Sequence, residues 1–212
     1  MSKDSAHTLL DKPHIFLDEV MRQAAESEII RLTMDIRAGK ELQCYQGKEV
    51  MILNTNELVD GMLTWADQVL CATNDTRAAL NFKMRQLNGM GELPQNGDKV
   101  ICIKNQWKEL SVNENPLVNG TIGYINNIYD TYVQYPPLYN NLKVDILGCE
   151  FTTDTGDLFK LDIDKKKLMT EKDSYPENLR YKISRNKNFA DTIPYEFVYG
   201  YAITVWKAQG SE

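Results

Sequence analysis

Lysine and arginine gather in two short windows of an otherwise acidic chain. Lys99, Lys104 and Lys108 follow one another with no acidic residue between them, and Lys182, Arg185 and Lys187 form a second set with Tyr181 and Phe189 nearby. Basic side chains interleaved with aromatic rings suit single-stranded nucleic acid, because the charges follow the backbone while the rings stack on bases without reading sequence. Taken alone, either window also fits an ordinary solvated face. Lys165-Lys166-Lys167 is weaker, since Asp162 and Asp164 precede it and the run fits a turn. One further place suits phosphate. Thr73-Asn74 lies between an apolar run and a helical pattern, where free N–H groups and short polar side chains can hold an anion; simple N-capping needs no ligand and is compatible with it. Asn119-Gly120-Thr121-Ile122-Gly123 has glycines that permit tight turning and close backbone approach, with Asn119 at a turn or capping position.

These residues need elements to position them. Gln68–Thr73 is nearly continuous in apolar residues and reads as a buried strand of a parallel sheet. It feeds a helix with Asn74 as N-cap, Asp75 at its positive end, and Ala78, Ala79, Phe82 and Gln86 at helical spacing. Upstream, Leu17, Val20, Met21 and Ala24 share one helical face, and Ala25, Ile29, Leu32 and Ile36 form another, with Ser27 as a cap and Gly39 as a stop. Glu49–Leu53 is a short strand candidate. From Asn88 to about Pro194 the texture changes: Gly89, Gly91, Pro94 and Gly97 punctuate the chain. Strand candidates then recur at Lys99–Ile103, Thr121–Ile128, Leu142–Leu147 and Leu158–Ile163, the pattern of a small antiparallel barrel or sandwich. A final apolar strand, Phe197–Val205, is expected to return to the parallel sheet.

A chain of 212 residues, 42% hydrophobic and 25% charged, can bury a sizeable core as one large domain or two small ones. No apolar run approaches membrane-spanning length and the N-terminus has no signal-peptide pattern, so an intracellular, cytoplasmic protein without a membrane partner is expected. Cys44, Cys71, Cys102 and Cys149 are widely spaced with only His7 and His14 for company; buried thiols, and no metal site, are expected. The net charge of -6 argues against a protein that coats nucleic acid over its whole surface but permits a local track.

The segment Thr204-Val205-Trp206-Lys207-Ala208-Gln209-Gly210-Ser211 resembles the Thr-Val-His-Lys-Ser-Gln-Gly-Ser motif of RecD/Dda-like superfamily 1 helicases, with Trp206 in place of the family His. Phe16-Leu17-Asp18-Glu19-Val20-Met21-Arg22-Gln23 is similar to the first block of that family's second motor domain. Thr73-Asn74 with Arg77 and Leu80-Asn81 resembles the next block, and Gly97-Asp98-Lys99-Val100 with Asn119-Gly120 resembles a later pair. The resemblance implies that Arg22 reaches the γ-phosphate of ATP, that Gln209 senses nucleotide or hydrolytic water, and that Gln23, Lys207 and Gly210 contact the nucleotide. It also implies DNA contacts from Thr73, Asn74, Asn119, Thr204, Trp206 and Ser211, beside the basic residues Lys99, Lys104, Lys182, Arg185 and Lys187. Trp206 removes the imidazole and adds a stacking surface.

The implied fold is α/β: an incomplete RecA-like P-loop NTPase motor domain with an inserted small SH3-like β-barrel. Its parts are a linker at 1–11, an α/β part at 12–87, a mainly-β insertion at 88–194 and a return strand at 195–212. The sequence has no Gly-rich Lys-Ser/Thr phosphate loop and no acidic Mg-binding motif. The expectation is a C-terminal helicase fragment that grips single-stranded DNA and is inactive alone, with ATP and Mg2+ used only in a complete enzyme with the first motor domain. The alternative is a naturally short non-catalytic nucleic-acid-binding or protein-interaction module.

Overall fold

The computed structural model describes residues 27–176 and 178–208. The chain forms two compact units, Met1–Leu58 and Val59–Glu212. In the first, helix α1 (Glu28–Arg37) starts at Ser27, whose hydroxyl accepts from the Ile29 N–H at 3.2 Å. The Glu28 carboxylate in the first turn accepts from the N–H groups of Glu49 (2.9 Å) and Val50 (3.3 Å) and from the Tyr45 hydroxyl (3.0 Å). These bonds, led by that from Glu49, hold its pKa below the ordinary glutamate value. They tie the helix to a minimal antiparallel pair, β1 (Tyr45–Gln46) and β2 (Met51–Ile52), so the strand expected over Glu49–Leu53 is two residues long.

The second unit runs α2 (Asp60–Trp65), β3 (Val69–Cys71), α3 (Asn74–Leu87), β4 (Asp98–Cys102), β5 (Gln106–Leu110), β6 (Pro116–Leu117), β7 (Ile122–Gln134), β8 (Lys143–Thr153), β9 (Leu158–Asp164), α4 (Lys165–Thr170), α5 (Leu179–Ser184), β10 (Phe197–Tyr199), β11 (Ala202–Thr204) and α6 (Val205–Ala208). It is a mixed α/β arrangement with several sheets. Strands β10, β4, β7, β8 and β9 form one antiparallel sheet in that order. Its two ends approach each other: the Asp164 N–H donates to the Tyr195 carbonyl (2.9 Å) and the Tyr195 N–H to that of Asp162 (2.8 Å), so β9 bridges the residue leading into β10. The curl needs close approach of β7 and β8, and a Cβ on Gly123 would lie 2.2 Å from the Thr152 carbonyl oxygen.

Two expectations are corrected. The strand expected over Phe197–Val205 is two strands: β10 pairs antiparallel with β4, and only β11 pairs parallel with β3. The break falls at Gly200-Tyr201, where Asn81 holds the chain: its Nδ2 donates to the carbonyls of Tyr199 and Ala202 (3.0 Å each), and its Oδ1 accepts from the Ala202 N–H at 2.8 Å. The basic run Lys165–Lys167 opens helix α4 rather than a turn, because the Asp164 carboxylate caps it by accepting from the Lys167 N–H at 2.9 Å. Leu63 of α2 and Met84 of α3 belong to one buried cluster with Val100, Phe151, Phe197 and Tyr201, so α3 and the antiparallel sheet share a core. A separate cluster of Tyr135, Tyr139, Val144, Tyr175, Leu179 and Ile183 closes the far end of the β7–β8 hairpin under α5. Among the described residues no helix is long and apolar enough to cross a membrane.

One buried ion pair joins α3 to the sheet. Arg85 Nε meets Asp98 Oδ1 at 2.8 Å and Nη2 meets Oδ2 at 3.0 Å, with side-chain exposures of 3% and 0%. Removing one partner of such a pair strands the other charge, so Asp98→Ala is expected to lower the unfolding free energy by about 3–5 kcal/mol. Urea denaturation followed by circular dichroism measures this. A loss no larger than that of a typical surface substitution, within roughly 0.5 kcal/mol, would mean the pair does not carry this role.

Candidate functional site

The cleft that collects the sequence motifs opens where β3, α3, β11 and the β6–β7 turn converge. At the end of β3 the chain leaves the sheet, and Thr73 caps α3 by accepting from the Thr76 N–H at 3.2 Å. Thr73 therefore takes the capping role expected of Asn74, which becomes the first residue of the helix and keeps an exposed side chain. The shift has a simple cause. Thr73 has the extended backbone (φ -121, ψ 155) that an N-cap requires, and its β-branch is at ease there. On the other side of the parallel pair, β11 ends at buried Thr204, and α6 follows at once, projecting Trp206 and Lys207. Asn119 and Gly120 come from the β6–β7 turn, where Gly120 has φ +98, a value that favours glycine.

Thr73, Asn74, Asn119, Thr204, Trp206 and Lys207 line a single cleft of 650 Å³ with Ala72 and Gly120. Its charge comes from Lys207, whose ammonium donates to Asn119 Oδ1. Asn119 is itself fixed, its N–H donating to Asn105 Oδ1 at 2.8 Å. Burial lowers the Lys207 pKa, and the neighbouring Arg77 charge lowers it further. An anion entering here would offset both effects. Trp206 is 82% exposed, leaving its ring face open at the cleft mouth. The arrangement offers free N–H groups at the start of a 14-residue helix, short polar side chains, one cation and one open indole. Together these can hold a phosphate and stack a base.

The other expected contacts do not join this cleft. Lys99 donates to the Asp67 carbonyl at 3.0 Å. Lys104 is committed to Glu196 at 2.7 Å, a carboxylate that also meets Arg180 at 2.7 Å. Lys182 lies on α5, and Arg185 and Lys187 follow it, all exposed over the far cluster, with the Arg185 guanidinium 4.7 Å from the Tyr181 ring centroid. The expectations for Arg22, Gln23, Gln209, Gly210 and Ser211 lie outside the described residues. Sequence reasoning placed Arg77 and Asn81 in a motif block without a role and passed over Arg85; all three are buried on one face of α3 while Phe82 is 55% exposed. Their spacing of four was the available signal: a polar stripe on a helix whose apolar stripe turned out to face water.

No protein-family model matches this sequence, and no curated protein matches it.

The assignment of the cap can be separated from that of the cleft. Thr73→Ala is expected to destabilise the protein by about 1 kcal/mol, and Asn74→Ala by only a few tenths. Parallel urea titrations distinguish them, and a larger cost at Asn74 would reverse the assignment.

Proposed function

We propose that this chain provides the single-stranded-DNA grip of an ATP-dependent DNA helicase of the RecD/Dda-like branch of superfamily 1, as its second motor domain. The observation that carries the reading is the convergence of Thr73, Asn74, Asn119, Thr204, Trp206 and Lys207, from three separate motif blocks, on one cleft. In this reading β3, α3 and β11 belong to a RecA-like part, and the curled five-stranded sheet is an SH3-like insertion. Phosphates lie against the α3 N-terminus and Lys207, and a base stacks on Trp206. ATP and Mg2+ act in the complete enzyme, between this domain and a first motor domain that supplies the phosphate loop. Cleft closure around ATP then alters the grip on DNA. Arg22 is assigned to the γ-phosphate, where its planar charged fork stabilises the transferring group.

The isolated chain is expected to bind a labelled oligothymidine with a Kd in the range of roughly 10⁻⁴ to 10⁻⁶ M, weakening with salt. Fluorescence anisotropy across a salt series reads this directly. Trp206→Ala is expected to cost about 1–3 kcal/mol of binding, the value of one stacked base. Lys207→Met is expected to reduce the slope of log K against log salt by roughly 0.7, one single-strand phosphate contact. Absence of binding at about 100 μM protein in low salt, the weak end of that range, or binding indifferent to salt, would refute the grip.

The nucleotide assignment needs the complete enzyme. With the first motor domain restored, Arg22→Ala is expected to slow DNA-stimulated ATP hydrolysis by roughly 10³-fold while DNA affinity stays close to that of the parent. The isolated chain is expected to hydrolyse no ATP in the same phosphate-release assay. Unchanged turnover in folded Arg22→Ala would return that residue to the protein surface.

A further inference from the structure

Beside the cleft, and sharing Asn74, Thr204 and Lys207 with it, lies a second hollow of 390 Å³. Its floor is apolar: Ile101, Val198 and Ile203 form one buried cluster, with Ile103 packed alongside. Its rim is cationic, carrying Arg77, Lys167 and Lys207. Two of those charges have acidic partners. Arg77 Nη2 meets Glu171, and Lys167 Nζ meets Asp173 at 2.8 Å. Among the described residues Lys207 is bonded to the neutral Asn119 amide and to no carboxylate, so the described rim holds one more positive charge than its ion pairs balance.

Arg77 gives a second, independent sign. It is 9% exposed, and its Nε, buried from solvent, has no hydrogen-bond partner among the described residues. A charged donor left unpaired inside a protein is costly, and an acceptor in the hollow that drew the guanidinium toward it would relieve that cost. The α3 N-terminus adds its partial positive charge at Asn74, on the same wall. An apolar floor beneath a cationic rim matches a nucleotide unit, with base and sugar on the hydrocarbon and phosphate on the charges.

We propose that this hollow is a second phosphate station, taking the neighbouring nucleotide of a strand that crosses the Trp206 cleft, and that Glu171 is a built-in competitor for Arg77 there. The inference rests on the single-strand reading of the cleft. Two phosphate stations sharing Lys207 would make the grip depend on backbone spacing and leave it indifferent to base identity. Glu171 would keep Arg77 paired when the strand is absent and yield it, in part, when a phosphate arrives.

The test is a titration of the full, uniformly ¹⁵N-labelled chain with 5′-phosphorylated thymidine dinucleotide, following the Arg77 Nε–Hε and Trp206 indole N–H signals by NMR, both assigned through the backbone. The Arg77 signal is expected to shift and saturate together with that of Trp206. Glu171→Gln, which removes the competing charge and keeps the shape, is expected to tighten binding several-fold. A Trp206 shift with a stationary Arg77 signal up to about 1 mM ligand, above the nonspecific range, overturns the second station and leaves the cleft standing. Both signals stationary overturns both. An Arg77 shift alone supports the hollow while removing the stacking role of Trp206. Unchanged or weaker binding in folded Glu171→Gln overturns the competitor role, whatever the signals do.

Discussion

A guanidinium and a carboxylate taken out of water together are tolerable only when nearly every donor and acceptor is used, and the Arg85–Asp98 pair meets that condition. Besides its two bonds to Arg85, Asp98 accepts from the Tyr201 hydroxyl at 3.1 Å and the Gln95 N–H at 2.8 Å. Arg85 also donates to the Leu93 carbonyl at 2.8 Å and lies 4.2 Å from the centroid of the Tyr199 ring. The pair thus touches α3, the loop into β4, β4 itself and the crossing from β10 to β11. One turn along α3, Asn81 holds the same crossing through three hydrogen bonds. Every element that walls the cleft is positioned relative to this contact. The α3 N-terminus is the far end of the helix that Arg85 anchors, and β11 with α6 follows the crossing that Asn81 and Tyr201 secure.

Elements were legible in the sequence where burial is one-sided or complete. The strand expected over Leu158–Ile163 is observed at Leu158–Asp164, and its alternation of buried and exposed residues explains why. The expected Thr121–Ile128 and Leu142–Leu147 strands fall well short of β7 and β8. Beyond a register shift between Asn126 and Tyr129, β7 runs on largely facing water, so no apolar pattern marks it; the missed end of β8, Gly148–Thr153, is mostly buried, but Gly148, Glu150 and the two threonines interrupt its apolar run. At Phe197–Val205 the opposite difficulty arises. An unbroken apolar run serves two sheets in succession, and the switch at Gly200-Tyr201 is decided by Asn81, more than a hundred residues earlier.

The site divided along similar lines. Motif residues that end strands or cap helices arrived together, because strand ends of a parallel pair bring their loops to one edge. The basic windows did not, since a run of like charge in sequence says nothing of the acids that fold against it. Lys104 is neutralised by Glu196, a partner 92 residues away. The buried stripe Arg77, Asn81 and Arg85 shows the same blindness in reverse. Polar residues at a spacing of four read as a solvent face, yet here they are the inward one, made tolerable by carbonyls and carboxylates that only the tertiary fold supplies.

A net charge of -6 and the proposed grip on a polyanion are compatible for a physical reason. Exposed charges separated by more than about 8–10 Å are largely screened at physiological salt, so the whole-chain balance weighs little beside the potential within the cleft. What counts there is that Lys207 lacks an acidic partner among the described residues while a helix start adds positive potential on the opposite wall. The remaining acidity then acts against loose, nonspecific coating of nucleic acid elsewhere on the surface. In the proposed grip Trp206 would contribute in a way salt does not screen, because stacking depends on apolar contact more than on charge. The proposed grip would thus divide between a salt-dependent term carried by Lys207 and a salt-tolerant term carried by Trp206, two residues adjacent in sequence on one short helix.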